Sequence, residues 1–381
     1  MEKTQSGLRK RICIIGKTNA GKSSLFNALL KNKTSIVSDI AGTTTDSVVK
    51  AYEILGFGPV LFCDTAGLGD ETPLGKEREK ATLEVLKMSD CALIVKQAAE
   101  SDDVDERILK QVKEWNIPFV VIYNKADLYT PPSGTIAVDS LTGVGVESVY
   151  TALRQALSGY RVETVLDGLI REKSSVLLVM PQDAAAPVRR LILPQVQVIR
   201  ECLDKHAVVS CVVPEELAEA IKRQTYDLII TDSKVVKEVL QIVPSTQHVS
   251  TFSVLFARAK GDFDVFLRGV AVIDKLKEGD CVLIAEACSH TTIEDDIAKT
   301  IIPKLLKKYT GKDLIIEFST GRKLPNDLSR YKLIFQCGGC MLTRMEMMRR
   351  IQEAQKQGVA ITNYGLAITQ CQIGNIQRLT F

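Results

Sequence analysis

The chain has 381 residues, 45% of them hydrophobic and 25% charged, with a formal net charge of +3. That length exceeds one ordinary hydrophobic core and implies two or three domains, while the composition excludes a disordered or low-complexity chain. The near-neutral charge argues against nucleic acid or an anionic membrane surface as a partner.

No apolar run approaches the length that crosses a bilayer. MEKTQSGLRKR at the start lacks the apolar stretch of a secretory signal, so a cytoplasmic location is expected. In such a reducing compartment the ten cysteines are expected as packed thiols, metal ligands or redox groups rather than disulfides.

In chain order, RICIIG (11–16) is a short β-rich run, GKTNAGKS follows at once, and SLFNALL continues as an amphipathic helix. Gly16, Gly21, Lys22 and Ser23 fit the phosphate-binding loop pattern. Its glycines let backbone N–H groups, from Asn19 and Ala20 through Ser24, close around phosphates at a helix N-terminus. Lys22 supplies charge to the β- and γ-phosphates, and the Ser23 hydroxyl reaches Mg²⁺.

VLFCDTAGL places Asp64 at a strand end, where it can hold Mg²⁺ through water, and lets the Gly67 N–H meet the γ-phosphate. FVVIYNKAD ends another apolar strand with Asn124, Lys125 and Asp127. A carboxylate at Asp127 accepts from the guanine ring N–H and exocyclic amine, a donor pair that adenine lacks, so GTP is the expected nucleotide. VDSLTGVGV (138–146) closes a last loop over the base through Ser140 and Leu141, the leucine departing from the more usual alanine. Cys13, Cys63 and Cys91 lie in or beside apolar strand runs and are expected as core packing.

AGTTTD (41–46) supplies a threonine for Mg²⁺. Its spacing resembles the TrmE-Era branch of the GTPases, which points to Thr44, with Thr43 as the alternative; Lys22, Thr44, Asp64 and Gly67 are then the expected catalytic group. Leu68 stands where Ras-like proteins carry the glutamine that orients the attacking water. Asn19 matches the asparagine by which some members of the branch hold K⁺, and K⁺ is the expectation here over a plain turn residue. Slow hydrolysis is expected, as in a switch.

After Leu157 the pattern changes. SVLLVMP (175–181), VVSCVVP (208–214) and DLIITD (227–232) read as buried strands, with helical periodicity in PVRRLILPQVQVIRECLDK and PEELAEAIKRQ between them. This predicts a small, mostly parallel α/β sheet with an interaction or dimerisation role. HVSTFSVLFARAKGDF (248–263) alternates like a strand able to pair outside its own domain. Cys202, Cys211, His206 and His248 are expected as structural or surface residues.

A third α/β unit begins near 264, with strands predicted at DCVLIAEA, DLIIEFS, YKLIF and finally VAITNYG. Cys288 and His290 follow the first of these, and Cys337 and Cys340 follow the third, in FQCGGCM. Parallel strands bring such positions to one sheet edge. Three readings stay open on these residues: a buried reduced cysteine cluster, a structural zinc of three cysteines and one histidine, or a 4Fe–4S cluster on three cysteines. Cys371 is a further candidate thiol.

The combination of a TrmE-Era-like GTPase, an α/β middle domain and a C-x-H…C-G-G-C domain resembles the HydF family of FeFe-hydrogenase maturation GTPases. AAAPVRRLILPQVQ, GDCVLIAEACSH and AITNYG carry the resemblance along the rest of the chain. It implies a GTPase domain (1–160), a middle dimerisation domain (161–263) and an iron–sulfur domain (264–381), hence a homodimer. It also implies a 4Fe–4S cluster on Cys288, Cys337 and Cys340, with His290 as a fourth ligand or a hydrogen-bond partner of one. The implied role is a scaffold that takes a diiron precursor made with radical-SAM maturases and delivers it to apo-FeFe-hydrogenase. The family commonly has a histidine before the C-x-x-C pair; this chain has Gln336, a poor iron ligand. Competing expectations are a TrmE-Era-type GTPase in RNA modification or ribosome assembly, and a zinc-stabilised GTP-dependent adaptor.

Overall fold

Residues that are apolar on both sides belong inside a covered parallel sheet, and β1 (Lys10–Ile15) is buried at every position after Lys10. The computed structural model describes residues 9–31, 38–39, 48–97, 103–158, 164–182, 191–287, 297–321, 323–338 and 342–380. These divide into two units, Met1–Arg161 and Val162–Phe381. In the first, α1 (Lys22–Leu30) follows the phosphate loop, then β2 (Ser38–Asp39), β3 (Val48–Ile54), β4 (Gly58–Asp64), α2 (Pro73–Lys87) and β5 (Cys91–Gln97). The unit continues with α3 (Asp103–Glu114), β6 (Phe119–Asn124), β7 (Ile136–Val138) and α4 (Val146–Ser158). The strand order is β2-β3-β4-β1-β5-β6-β7, parallel from β4 to β7, with β2 and β3 antiparallel at one edge. Cys13, Cys63 and Cys91 are fully buried in it, and burial pushes the Cys91 thiol up to about 12, so these are packing residues.

The second unit holds two parallel sheets. Its first elements are β8 (Ser175–Val179), α5 (Leu193–Asp204), β9 (Val208–Val212), α6 (Leu217–Arg223), β10 (Leu228–Thr231), α7 (Val236–Ile242), β11 (Val249–Thr251) and α8 (Phe252–Lys260). Their strands run β11-β10-β8-β9. Then come α9 (Phe263–Ile273), β12 (Cys281–Glu286), α10 (Ile302–Thr310), β13 (Ile315–Thr320), β14 (Leu333–Gln336), α11 (Arg344–Lys356), β15 (Ala360–Asn363) and α12 (Tyr364–Ile373). These strands run β13-β12-β14-β15. Leu177 and Ile229 of the first sheet share one hydrophobic cluster with Leu283 and Ile334 of the second. Thr380 also donates its N–H to the Val249 carbonyl at 2.7 Å.

Two elements differ from the sequence reading. The stretch 248–263 is not one strand: three residues pair with β10 inside their own sheet, and a helix follows directly. Thr251 caps that helix by accepting from the Val254 N–H at 3.2 Å, which ends the strand where alternation alone would extend it. VAITNYG does form β15, but it is not the last element, because Asn363 caps α12 through the Gly365 N–H at 2.8 Å. Every residue from Tyr364 to Gln370 is buried, so α12 has no polar face to reveal a helical period.

In α9, a Cβ at Gly269 would lie 2.1 Å from the Ile361 carbonyl oxygen of β15. Gly269→Ala should therefore destabilise the second unit by about 2 kcal/mol despite alanine's better helix propensity. The midpoint of chemical unfolding, read from a probe in that unit, should fall accordingly.

Candidate functional sites

The phosphate loop hangs between the end of β1 and the start of α1. Gly21 stands at φ 87°, and no side chain caps the helix after it, so the first-turn N–H groups are left for an anion. A Cβ at Gly21 would fall 2.2 Å from Asn124 Nδ2. Asn124 occupies that space: its amide donates to the Ala20 and Gly21 carbonyls at 3.1 and 3.2 Å and accepts from the Ser140 hydroxyl at 2.6 Å. Asn124 thus ties the phosphate loop to the loop expected over the base. Asp139 shapes that second loop by accepting from the Leu141 N–H at 2.9 Å, which leaves Leu141 itself exposed. Lys125 adopts φ 61° and donates to Gln97 at 3.2 Å, while Asp127 is exposed at the rim. The sequence reading missed Gln97 and Asp139, although the Asp-Ser-Leu-Thr run is itself a turn signal.

Lys22 is buried and its ammonium donates to the Lys17 carbonyl at 2.8 Å; burial lowers its pKa, opposed by the charge of Asp64. Burial likewise raises the Asp64 carboxyl, opposed by the Ser23 hydroxyl, the Lys22 charge and the Thr65 N–H. Asp64 Oδ1 is buried without a hydrogen-bond partner among the described residues. An orphaned carboxylate oxygen beside the exposed hydroxyl of Ser23 suits a hard dication with oxygen ligands. Gly67 packs on Thr18, and the buried Leu68 accepts from the Thr18 N–H at 3.1 Å. The Leu68 side chain joins an apolar cluster with Ile15 and so offers no group to orient water. Asn19 is exposed at φ 65°. Thr43 and Thr44 lie outside the described residues.

In the second unit, β12 and β14 pair in parallel with Ala285 opposite Gln336. Their C-terminal ends are therefore neighbours, and Ala287 donates its N–H to Cys337 Sγ at 3.2 Å. Cys337 donates its own N–H to the Ala285 carbonyl at 3.0 Å, so the strand pairing continues up to the thiol. Gln336 is fully buried beside it. Cys288, His290 and Cys340 lie outside the described residues, and among the described residues no group of three or more metal-binding side chains assembles. Cys371 sits on α12, its thiol pushed up to about 12 by burial and then by Asp274. It packs in the apolar cluster of β12 and β14.

The fold, phosphate loop and Asn124-Lys125-x-Asp127 run define the first unit as a P-loop GTPase domain, and residues 11–125 match the 50S ribosome-binding GTPase family. Residues 165–261 match the hydrogen maturase F dimerization domain and residues 264–379 its tetramerization domain. Together these two models span more than half of the 381 residues; the chain belongs to the hydrogen maturase F family. A match of residues 264–379 to a tetramerization domain is one the sequence reading had not foreseen.

The tRNA modification GTPase MnmE of Xylella fastidiosa (strain 9a5c) is 37% identical over 169 residues, 41% of this chain and 37% of its own length. GTPase Der of Wolinella succinogenes is 43% identical over 122 residues, 31% of this chain and 26% of its own length. The chain thus spans between about a quarter and little more than a third of the length of these two curated relatives. The G domain of the T. maritima FeoB iron transporter aligns over 39% of this chain and 98% of its own, at 18% identity and a TM-score of 0.30.

The raised Asp64 carboxyl has a consequence for stability. A carboxyl whose folded pKa lies above its unfolded value favours the fold below the unfolded pKa and loses that contribution as pH rises through the folded one. Asp64→Asn, neutral at every pH, should melt higher than wild type at pH 7 without nucleotide or metal. The difference should shrink toward acid pH, and the added stability from Mg²⁺ and GTP should largely disappear. Thermal melts at two pH values check this; a variant that melts no higher at pH 7 sinks it.

Proposed function

We propose that the chain is a slow GTPase switch that doubles as an iron–sulfur scaffold, holding a diiron precursor and delivering it to apo-FeFe-hydrogenase. What carries the reading is the pairing of hydrogen maturase F domains with a half-buried Cys337 thiol at the parallel sheet edge, beside the strand that leads into Cys288. The domains are assigned as 1–160, 161–263 and 264–381, with self-association through the second and third. The other partners are radical-SAM maturases, and the location is the cytoplasm.

In the nucleotide site Lys22 leaves the Lys17 carbonyl for the β- and γ-phosphates, and the α1 N–H groups receive the remaining phosphate charge. Ser23 and Thr44 ligate Mg²⁺, with Asp64 acting through water; the ion supplies positive charge against the phosphate oxygens. Asn124, Lys125, Asp127, Ser140 and Leu141 surround guanine. With Leu68 apolar, Asn19 is assigned to K⁺, which stands in for an arginine finger. Cys288, Cys337 and Cys340 hold a 4Fe–4S cluster, and His290 is a fourth ligand or supports one. Soft thiolates suit that group, and the N–H already directed at Cys337 Sγ suits a sulfur carrying negative charge.

Two measurements test this. GTP hydrolysis should run several-fold faster in K⁺ than in Na⁺ at equal ionic strength, and Asn19→Ala should bring the two rates to parity; equal rates in wild type remove the K⁺ assignment. Anaerobically purified protein should contain iron and acid-labile sulfide. Serine at Cys288, Cys337 or Cys340 should strip most of the iron, since oxygen replaces thiolate poorly at iron, and should leave GTP binding intact. Stoichiometric zinc without sulfide would replace the scaffold reading with that of a zinc-stabilised adaptor.

A further inference from the structure

The position that the sequence singled out before the C-x-x-C pair, Gln336, has a defined job in the fold. Its side chain is fully buried at the end of β14. Arg350, itself buried on α11 three residues after Met347 and one before Ile351, donates from Nη1 to Gln336 Oε1 and from Nη2 to the Gly321 carbonyl. A guanidinium carries donors only, so it fixes which end of the amide it meets: the oxygen must face Arg350 and the NH₂ must face away. The NH₂ then points at Cys337, with Nε2 3.4 Å from Sγ and 3.3 Å from the carbonyl oxygen. The Ala287 N–H reaches the same sulfur from the neighbouring strand at 3.2 Å. Two N–H groups on separate elements are thus aimed at one thiol.

We propose that Gln336, oriented by Arg350, is a hydrogen-bond donor to the cluster-ligating sulfur of Cys337 and sets the reduction potential of the cluster rather than its retention. The inference rests on the cluster assignment made above. An N–H directed at a ligating sulfur favours the reduced, more negatively charged state of the cluster, so it raises the potential. Where a histidine at this position could reach iron, an amide locked onto a guanidinium has its oxygen already engaged. Gln336 acts as donor to the ligand and Arg350 as a positioning residue one bond further out.

The test is a redox titration of anaerobically reconstituted protein, followed by electron paramagnetic resonance and paired with iron and sulfide analysis. Gln336→Leu should hold as much iron as wild type and shift the midpoint to a more negative value. Because an Arg350 that has lost its amide acceptor could impair folding, Gln336→Leu/Arg350→Met removes both members of that pair together and should fold with its iron retained. In the Arg350→Met background the further change Gln336→Leu should move the midpoint much less than it does in wild type, since the amide has lost the group that aims it. An unchanged midpoint in Gln336→Leu overturns the proposal, as does a full, independent shift in the Arg350→Met background. Loss of iron from Gln336→Leu overturns it too, by making Gln336 a ligand. Wild-type protein without iron or sulfide counts instead against the cluster reading on which the proposal stands.

Discussion

A parallel strand delivers its last residue to one edge of the sheet, and its neighbours deliver theirs to the same edge. The molecule uses this constraint in both units. Gly16 follows β1, Asp64 ends β4 and Asn124 ends β6, three residues spread over more than a hundred positions in sequence and brought to one edge by parallel register. In the second unit the ends of β12 and β14 meet by the same rule, with Ala285 opposite Gln336. At the first edge α1 begins without a side-chain cap and at the second the Cys337 thiol appears, each where no strand backbone remains to compete for it.

The two edges are prepared differently for what they would bind. The nucleotide edge carries stored electrostatic cost: a buried carboxyl raised by desolvation, a buried ammonium lowered by it, and a carboxylate oxygen without a hydrogen-bond partner among the described residues. Such groups gain most when a charged ligand arrives, because their desolvation has already been met in folding. The Cys337 edge is instead satisfied in advance, since Gln336 and Ala287 donate to the sulfur and Arg350 fixes Gln336. In the proposed function the first edge exchanges a nucleotide and the second retains a cluster, and those two tasks call for opposite arrangements.

The elements that were readable in the sequence are those whose pattern is dictated by one covered face or by a special backbone. The run KRICII and the glycines of GKTNAGKS announce a buried strand and an anion loop, and both are present. Alternation misled at 248–263 because the Thr251 cap outweighs a pattern that continues past it. The helix α12 left no trace because it is buried on every side. Arg350 could have been noticed as a charge standing among Met347, Ile351 and Ala354 on the covered face of α11, but its target lies fourteen residues away in another element. Gln336 stands out in the sequence by the histidine it replaces, but its contact with Arg350 is one that spacing cannot supply.

Thr380 reaches back to the Val249 carbonyl, and this gives the middle sheet two unlike margins. The β11 margin is three residues long and already receives the Thr380 N–H of the same chain. At the other margin β9 runs five residues with Val208 largely exposed, and among the described residues only β8 flanks it. A ribbon that can be extended from both sides grows without limit, whereas one blunted on one side joins a single copy of itself about a two-fold axis and stops. The Thr380 contact thus blunts one margin of this sheet, and strand addition from outside would have the β9 margin open to it.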